Sequence, residues 1–428
     1  MYKHKIHLTT LGCAKNLVDS EKLLGQLQAN NFEIAKNIKD AEVEIINTCG
    51  FILDAKKESI GEIMNAIELK ENGTLKKVIV VGCLSQRYKE ELKEELPEVD
   101  VFFGTEAYSD ILNYLNASYQ SDYLYRRSKL TEKHYSYLKI SEGCDHKCSF
   151  CAIPLIRGKH VSVPIEKLID EVKFLASNGT KELLVVAQDS TYYGYDLYKK
   201  RKIDYLLNKL SEVEGIEWIK LFYAYPTNFP KELLTTIRDN QKINKYFDIP
   251  LQHISDNMLK AMNRGITSQQ IQDLIDLIRN TIPEVTIRST FIVGFPGETE
   301  EDFEQLYNFI EKYRLDNVGF FKYSHEEGTK AGKKIDSVDE ETKFERYLSL
   351  MELQREIIEE KNKSKLGKKV KIIYDGKIDN ERLGRTEWQA PEVDPLTVIE
   401  TDKRIIKGKF YDAEIVGVQD YDIVARII

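Results

Sequence analysis

The sequence predicts an α/β protein of three parts: an N-terminal parallel α/β domain of the Rossmann-like kind, a partial (β/α) barrel, and a small C-terminal all-β barrel. Three observations carry this prediction. Short apolar runs alternate with segments of helical period up to about residue 115, and the alternation resumes near residue 137. From Lys368 onward only short strand-like runs remain, broken by Gly, Pro and Asp. At 428 residues the chain is long enough for two or three domains.

The first domain is expected to span residues 1–117. Three strand-like runs, KIHLTTLGC, VEIINTCGF and KVIVVGCLS, are each followed by a helical pattern. Repeated strand–helix units are typical of a parallel sheet. Each of these strand candidates ends in a cysteine: Cys13, Cys49 and Cys83. A polar, tyrosine-rich stretch that begins at Ser118 is predicted to be a linker.

The second domain is expected to span residues 130–364. Six strand candidates are separated by helical patterns, which predicts a barrel with fewer than the usual eight units. The candidates cover residues 137–141, 182–187, 218–222, 246–251, 285–293 and 318–323. A long charged helix then leads to Gly367, which is placed to end it. The last domain, residues 365–428, is predicted to be the small all-β barrel.

Composition places the chain among ordinary soluble proteins. The net charge of -8 comes from 70 acidic and 62 basic residues without long like-charge blocks, so no basic nucleic-acid surface is evident. The first ten residues do not resemble a signal peptide, and no apolar run is long enough to span a membrane. We therefore expect a cytoplasmic protein with no membrane partner, in which six cysteines serve as ligands or buried side chains rather than disulfides.

Residues 143–151, GCDHKCSFC, place Cys144, Cys148 and Cys151 in one short loop after the first barrel strand. Three thiolates at this spacing favour an iron–sulfur cluster, zinc or copper(I). The loop also follows the carboxyl end of a barrel strand, where barrel active sites form. A structural zinc site with His146 as fourth ligand is the alternative, although such sites usually use paired C-x2-4-C units.

The other three cysteines lie 36 and 34 residues apart, one strand–helix unit each. Because the ends of parallel strands border one crevice, Cys13, Cys49 and Cys83 are expected to converge there and to hold a second cluster. The alternative is that they are small buried side chains, which is common for isolated cysteines.

The C-x3-C-x2-C loop resembles the cluster-binding loop of the radical S-adenosylmethionine (SAM) enzymes. Two three-cysteine sets in this order, followed by a β tail, resemble the methylthiotransferases, whose parts are an N-terminal methylthiotransferase domain, a radical SAM core and a TRAM domain. The resemblance implies two 4Fe-4S clusters and SAM as cofactors. It assigns the radical-forming cluster to Cys144, Cys148 and Cys151, and a sulfur-delivering auxiliary cluster to Cys13, Cys49 and Cys83.

Within that family, several phrases resemble the branch that modifies the β-carbon of an aspartate in small ribosomal subunit protein 12. They are SEGCDHKCSFCAIPLIRG, AQDSTYYGYDLY, YAYPT, DIPLQHISDNMLKAMNRG, FIVGFPGET and GRTEWQAPEVD. The implied partners are that protein, free or in the small subunit, a sulfur source and an electron donor, with nucleic acid present only as part of the ribosome.

Two other functions stay open. One is the branch of the family that modifies an adenosine of tRNA, and the other is an RNA- or ribosome-binding protein whose cysteines hold a structural metal. The C-terminal residues 365–428 carry 12 basic and 12 acidic residues, and this neutral balance favours a protein substrate over tRNA phosphates.

Four further positions are predicted to bind the cofactor, and each has a simpler explanation. Arg288 could pair with the SAM carboxylate or form a structural ion pair. Gly294 could bring backbone close to the ligand or only form a turn. Gln188 ends a strand at the site or caps the next element, and Phe150 packs near the adenine or shields the cluster. No general base is identified, so the catalytic residues stay unknown.

Overall fold

The computed structural model describes residues 4–428. Its N-terminal part is a five-stranded, all-parallel sheet of order β2-β1-β3-β4-β5 with helices on both faces. The strands are β1 (Lys5–Thr10), β2 (Glu33–Ile34), β3 (Val43–Thr48), β4 (Lys77–Gly82) and β5 (Val101–Phe102). The helices are α1 (Ala14–Ala29), α2 (Leu53–Glu71), α3 (Cys83–Arg87), α4 (Lys89–Glu95) and α5 (Tyr108–Tyr114).

The middle part is an open sheet of six parallel strands, which is the predicted partial barrel. The strands are β6 (Tyr135–Lys139), β9 (Glu182–Val186), β10 (Trp218–Leu221), β11 (Ile243–Asp248), β12 (Thr286–Val293) and β13 (Asn317–Lys322), in order β13-β12-β11-β10-β9-β6. A two-stranded antiparallel pair, β7 (Ser141–Glu142) and β8 (Val161–Ser162), lies beside it.

Nine helices surround this sheet in the described part of the chain. They are α6 (Ile153–Arg157), α7 (Ile165–Ser177), α8 (Tyr195–Tyr198), α9 (Ile203–Ser211), α10 (Glu232–Asp239), α11 (Asp256–Ala261), α12 (Ser268–Thr281), α13 (Glu300–Tyr313) and α14 (Glu340–Lys363). Their apolar stripes and the sheet form the largest hydrophobic core of the protein. Among residues 4–428, no helix combines the length and the apolar character that crossing a membrane requires.

The fourth barrel strand begins earlier than the sequence indicates. It was expected over residues 246–251, whereas β11 covers Ile243–Asp248. Pro250 has no backbone N–H to donate to a neighbouring strand, so the regular ladder ends before it.

The C-terminal part is a closed five-stranded barrel of order β14-β15-β16-β18-β17. The strands are β14 (Lys369–Ile378), β15 (Glu381–Thr386), β16 (Thr397–Glu400), β17 (Phe410–Gln419) and β18 (Asp422–Ile427). The sequence did not predict β15, because ERLGRT lacks an alternating apolar pattern. Asp379 and Asn380, with φ of 44° and 75°, form the tight turn that pairs it with β14. The predicted fold class is confirmed for all three parts.

The C-terminal barrel docks at the amino ends of the core strands. The fully buried Arg385 donates to Glu182, the first residue of β9, at 2.6 Å. The loop after β15 enters the interior of the partial barrel, where Ala390 packs in a cluster with side chains of the core strands. In the same loop, Asp394 accepts a hydrogen bond from Tyr246 at 2.7 Å. This docking leaves the carboxyl ends of the core strands free for the site.

Candidate active site

The N-terminal trio, Cys13, Cys49 and Cys83, lies along one edge of the first sheet. Cys13 precedes α1, Cys49 directly follows β3, and Cys83 begins α3 directly after β4. Since β1, β3 and β4 are neighbours, the three thiols are brought to the same edge, as the spacing predicted.

Close packing at Gly12 places Cys49 against the residue that precedes Cys13. A Cβ atom at Gly12 would lie 2.8 Å from the Sγ of Cys49, and the φ of Gly12 is 85°. No other residue fits there. Burial raises the pKa of both Cys49 and Cys83, and a charge on Cys13 raises it further.

The core trio, Cys144, Cys148 and Cys151, lies in the loop between β7 and α6. Backbone hydrogen bonds fix this loop: Cys144 N–H donates to the carbonyl of Gly158 at 3.1 Å, and Ser149 N–H to that of Met262 at 2.9 Å. Gly143 opens the loop with φ of 70°, and a Cβ there would lie 2.1 Å from a backbone oxygen. The thiols are half-buried and form no disulfide.

The two trios face each other across the boundary between the first sheet and the core. Helix α6, which follows the core trio, packs on α3, which begins with Cys83. Cys83 forms a buried cluster with Ala152 and Ile156. From the end of α6, the guanidinium of Arg157 donates to the Sγ of Cys83 at 3.4 Å. A residue of the core thus contacts a thiol of the N-terminal trio directly.

Burial and nearby cations set the pKa values of the thiols. Burial raises the pKa of Cys83, Cys144 and Cys151 to about 12. Cys13 is solvent-exposed, and the cations of Lys15 and Arg157 hold the pKa of its thiol below the usual value. Metal binding at both trios must therefore displace thiol protons.

The donor set of each trio fits an iron–sulfur cluster. Soft thiolates are the ligands that such clusters use, and each of the three thiolates can bind a different iron of a four-iron cluster.

His146, the fourth ligand of the alternative zinc site, has other partners. Its ring stacks on Tyr225 with centroids 3.7 Å apart, and its Nε2 lies 2.7 Å from Asp189 Oδ2. Tyr225 and Arg264 then support Cys148, whose Sγ lies 3.6 Å from the tyrosine hydroxyl and 3.3 Å from the guanidinium. His146 therefore positions Tyr225, which in turn contacts Cys148.

One group of three carboxylates has ligand atoms within 4.8 Å of one another: Asp19, Glu106 and Glu142. Side-chain cations of the protein already neutralise these carboxylates. Lys139 contacts all three acids, and Arg157 pairs with Asp19 at 3.0 Å and with Glu142 at 2.7 Å. The group is an ion network that joins the two parts of the site.

Of the four predicted cofactor residues, one lies in the core loop itself and one follows a core strand. Phe150 is half-buried between Cys148 and Cys151 and lines a cavity. Gln188 is half-buried just after β9, and the structure adds no contact that assigns it a partner. Both assignments stay predictions.

The other two have contacts that match their simpler explanations. The guanidinium of Arg288 lies 3.0 Å from Asp248 and 3.4 Å from Asp394, which favours a structural ion pair. Gly294 has φ of 71°, and a Cβ there would lie 2.1 Å from the side chain of Lys343. Its N–H donates to Glu298 at 2.7 Å, so this group is already satisfied.

A cavity of about 880 Å³ lies between the first sheet domain and the core. Its walls include Phe51, close after Cys49, and Phe150, within the core loop. The cavity therefore reaches residues next to both trios. Its volume is in the range of sites that hold a cofactor-sized ligand.

Sequence reasoning missed the cations around the thiols: Lys15, Arg157 and Arg264. Two of them had a signal in the sequence. Lys15 stands two residues after a cysteine in the first turn of a helix, where a cation opposes the helix dipole. Arg157 follows the core cysteines in an otherwise apolar helix.

Three family profiles match the chain. An uncharacterized protein family, UPF0004, matches residues 5–104, the Radical SAM superfamily matches residues 138–310, and the TRAM domain matches residues 366–428. The first two profiles each contain one complete cysteine trio.

Relatives are similar over the full length. "Ribosomal protein uS12 methylthiotransferase RimO" of Phocaeicola vulgatus is 48% identical over 432 residues, covering 100% of both chains. The protein of the same name from Cytophaga hutchinsonii is 46% identical over 429 residues, covering 100% of this chain and 98% of its own.

The fold resembles solved radical SAM enzymes. The structure of the radical S-adenosylmethionine methyltransferase TsrM from Kitasatospora setae aligns with a TM-score of 0.54 and 14% identity, covering 77% of each chain. Fold and site together define a radical SAM protein with a second cysteine site. With full-length relatives at nearly half identity, the chain belongs to the RimO family of ribosomal protein uS12 methylthiotransferases.

Proposed function

We propose that this enzyme adds a methylthio group to the β-carbon of an aspartate in small ribosomal subunit protein uS12. It is a transferase of sulfur-containing groups that uses two 4Fe-4S clusters and SAM. The observation that carries the proposal is the facing arrangement of the two trios, in which Cys83 packs against the helix that follows Cys151. A substrate carbon that must meet both clusters in turn requires the two trios to share one boundary in this way.

The two trios have different tasks in this proposal. Cys144, Cys148 and Cys151 hold the core cluster, and Cys13, Cys49 and Cys83 hold the auxiliary cluster. When bound, the core cluster with one SAM would supply the 5'-deoxyadenosyl radical that removes a hydrogen atom from the β-carbon, the auxiliary cluster would supply the sulfur, and a second SAM would supply the methyl group. Three thiolates at each trio leave one iron without a protein ligand.

Side chains of the protein hold the two cysteine trios in fixed positions relative to each other. Arg157 contacts Cys83 and two acids of the ion network, so it fixes α6 against the first sheet. Arg264 and Tyr225 hold Cys148 from the opposite side. Phe150 places an apolar ring in the cavity wall beside the core trio, where it excludes water from the reacting groups.

The cavity favours a basic protein segment as substrate. Its walls carry five carboxylates, Asp54, Glu326, Glu327, Asp336 and Glu340, and three lysines, Lys56, Lys322 and Lys343. The lysines pair with Glu326, Asp336 and Glu340, so Asp54 and Glu327 are the excess charges of the wall. This small acidic excess offers no cationic surface for RNA phosphates, which supports uS12 over tRNA.

The proposal implies a setting and two further partners. Each cycle consumes sulfur and requires electrons, so a sulfur source and an electron donor must reach the enzyme. The reaction takes place in the cytoplasm, with nucleic acid present only as part of the ribosome.

Mass spectrometry of both candidate substrates tests the proposal. The reconstituted protein is incubated anaerobically with SAM, a reductant, uS12 and bulk tRNA. We expect a methylthio mass gain on one aspartate of uS12 and none on the tRNA nucleosides. A gain on an adenosine alone would contradict the proposed substrate, and the absence of any gain would contradict the activity.

A further inference from the structure

A basic, tyrosine-rich surface lies beside the loop that carries the core trio. Residues 192–205 follow β9 and read YYGYDLYKKRKIDY, with four consecutive cations. The ring centroid of Tyr192 lies 6.3 Å from that of His146, within the core loop, and 5.1 Å from that of His160, which follows α6. These contacts hold the segment against the core loop, so a molecule bound there would lie next to the site.

The cations of this surface are not paired within the protein. We call them the basic rim, and they are Lys147, Lys159, Lys199, Lys200, Arg201 and Lys202. The first four are exposed and the last two are half-buried. Within residues 4–428, none of the six forms an ion pair with a carboxylate. The nearby Asp145 and Asp196 instead accept hydrogen bonds from the backbone N–H groups of His160 and Ser162, at 3.0 and 2.8 Å. The basic rim therefore presents positive charge to solvent.

Tyrosine rings alternate with these cations. Tyr195 is 47% exposed and Tyr205 is 44% exposed. The guanidinium of Arg201 lies 5.7 Å from the ring centroid of Tyr192, and its Nη1 has no hydrogen-bond partner among the described residues. The ammonium of Lys202 lies 5.0 Å from the ring centroid of Tyr205. Cations interleaved with exposed rings suit single-stranded nucleic acid, because phosphates pair with the cations and bases stack on the rings.

We propose that the basic rim binds a single-stranded segment of the RNA of the small ribosomal subunit, next to uS12. The inference rests on the proposed function, since a ribosomal protein presented in its subunit is surrounded by RNA phosphates. An acidic protein could neutralise the same charges, but it has no bases to stack on Tyr195 and Tyr205. The chain as a whole carries a net charge of -8, so a local positive surface also orients the enzyme on an RNA-covered particle.

The test compares three variants of the reconstituted full chain. The rim variant, Lys199→Gln with Lys200→Gln, removes two exposed charges. Tyr195→Ala removes an exposed ring and keeps the charge. The matched control is Lys36→Gln with Lys39→Gln, because these two lysines are also exposed and lie beside β2, at the far edge of the first sheet.

Fluorescence anisotropy measures the Kd of each protein for a short, labelled single-stranded RNA at several salt concentrations. The rim variant should raise the Kd by about 10-fold and reduce the slope of log K against log salt by about 1.4, because two phosphate contacts are lost. Tyr195→Ala should raise the Kd by about 10-fold with an unchanged slope, because stacking is not electrostatic. The control should behave as wild type.

A second measurement ties the basic rim to the subunit. The ratio of kcat/KM for intact small subunits to kcat/KM for free uS12 should fall by about 10-fold in the rim variant and stay unchanged in the control. Equal RNA affinity of the rim variant and the control would overturn the proposal, as would an unchanged ratio. Binding of poly-glutamate in place of RNA would show that the partner is an acidic protein instead.

Failure of the proposed function gives a different result. Wild-type enzyme would then leave uS12 unmodified, both free and in the subunit, whereas the RNA affinities of the variants would still report on the basic rim.

Discussion

At the scale of single residues, Arg157 connects the chemistry of the two trios. Its guanidinium contacts Cys83, Asp19 and Glu142, and it is almost fully buried. The sequence predicted the six cysteines from their spacing. It could not predict Arg157, because the contact depends on how two domains pack.

Replacing Arg157 by methionine should weaken the auxiliary site more than the core site. Two buried carboxylates lose a partner, so we expect a loss of roughly 3 kcal/mol in the free energy of unfolding of the metal-free protein. Urea denaturation measures this loss, and iron analysis should show depletion at the N-terminal trio. Arg238→Met is the control, because Arg238 is exposed and pairs with its neighbour Asp239. Equal stability of the two variants would contradict the account.

Glu142 makes the same ion network sensitive to acid. Burial alone would raise its pKa, but Lys139 and Arg157 hold the pKa of Glu142 at about 2. Because the folded pKa is depressed, the stabilisation is complete above the unfolded value of about 4.3 and is lost as the pH falls toward 2.

The comparison of wild type with Glu142→Gln should therefore depend on pH. We expect wild type to be more stable by roughly 1–3 kcal/mol at pH 7. In urea denaturation of the metal-free proteins, the difference should shrink as the pH is lowered below about 4.3. A difference that stays constant down to pH 3 would show that Glu142 is not the titrating group.

At the scale of elements, most strands and helices follow from hydrophobic period, and the exceptions have local causes. Pro250 ends β11 early, and β15 is polar because Arg385 and Thr386 bury their polar groups in specific hydrogen bonds. Such strands are specified by partners that lie elsewhere in the chain. For the same reason, the docking of the C-terminal barrel could not be predicted from sequence.

Arg385 is a fully buried polar connection between that barrel and the core. It donates to Glu182 of β9 and to Asp375 of β14 at 2.6 and 2.7 Å. Arg385→Met should leave Asp375 with His134 alone and cost roughly 3 kcal/mol or more in the free energy of unfolding. Limited proteolysis should then cut between the core and the C-terminal barrel sooner than in wild type.

Arg426→Met is the matched control for this change. Arg426 lies in the same barrel, pairs with Glu400 at 2.8 Å and is 62% exposed, so its loss should be nearly neutral. Equal proteolysis of both variants would show that Arg385 does not secure the barrel.

At the scale of the whole molecule, the first sheet and the core build one site at their shared boundary. The first sheet supplies one trio, the core supplies the other, and the C-terminal barrel closes the opposite end of the core. Cysteine spacing predicted that two sites exist. That they face each other was beyond the sequence, because it depends on the packing of α3 on α6.

Iron analysis of three proteins tests the central claim, that two separate trios each hold one cluster. After anaerobic reconstitution, wild type should bind about eight irons per chain with matching acid-labile sulfide, because two four-iron clusters are present. Replacing either the N-terminal trio or the core trio by alanine should leave about four. Zinc without iron, or an unchanged iron content after removal of either trio, would contradict the account.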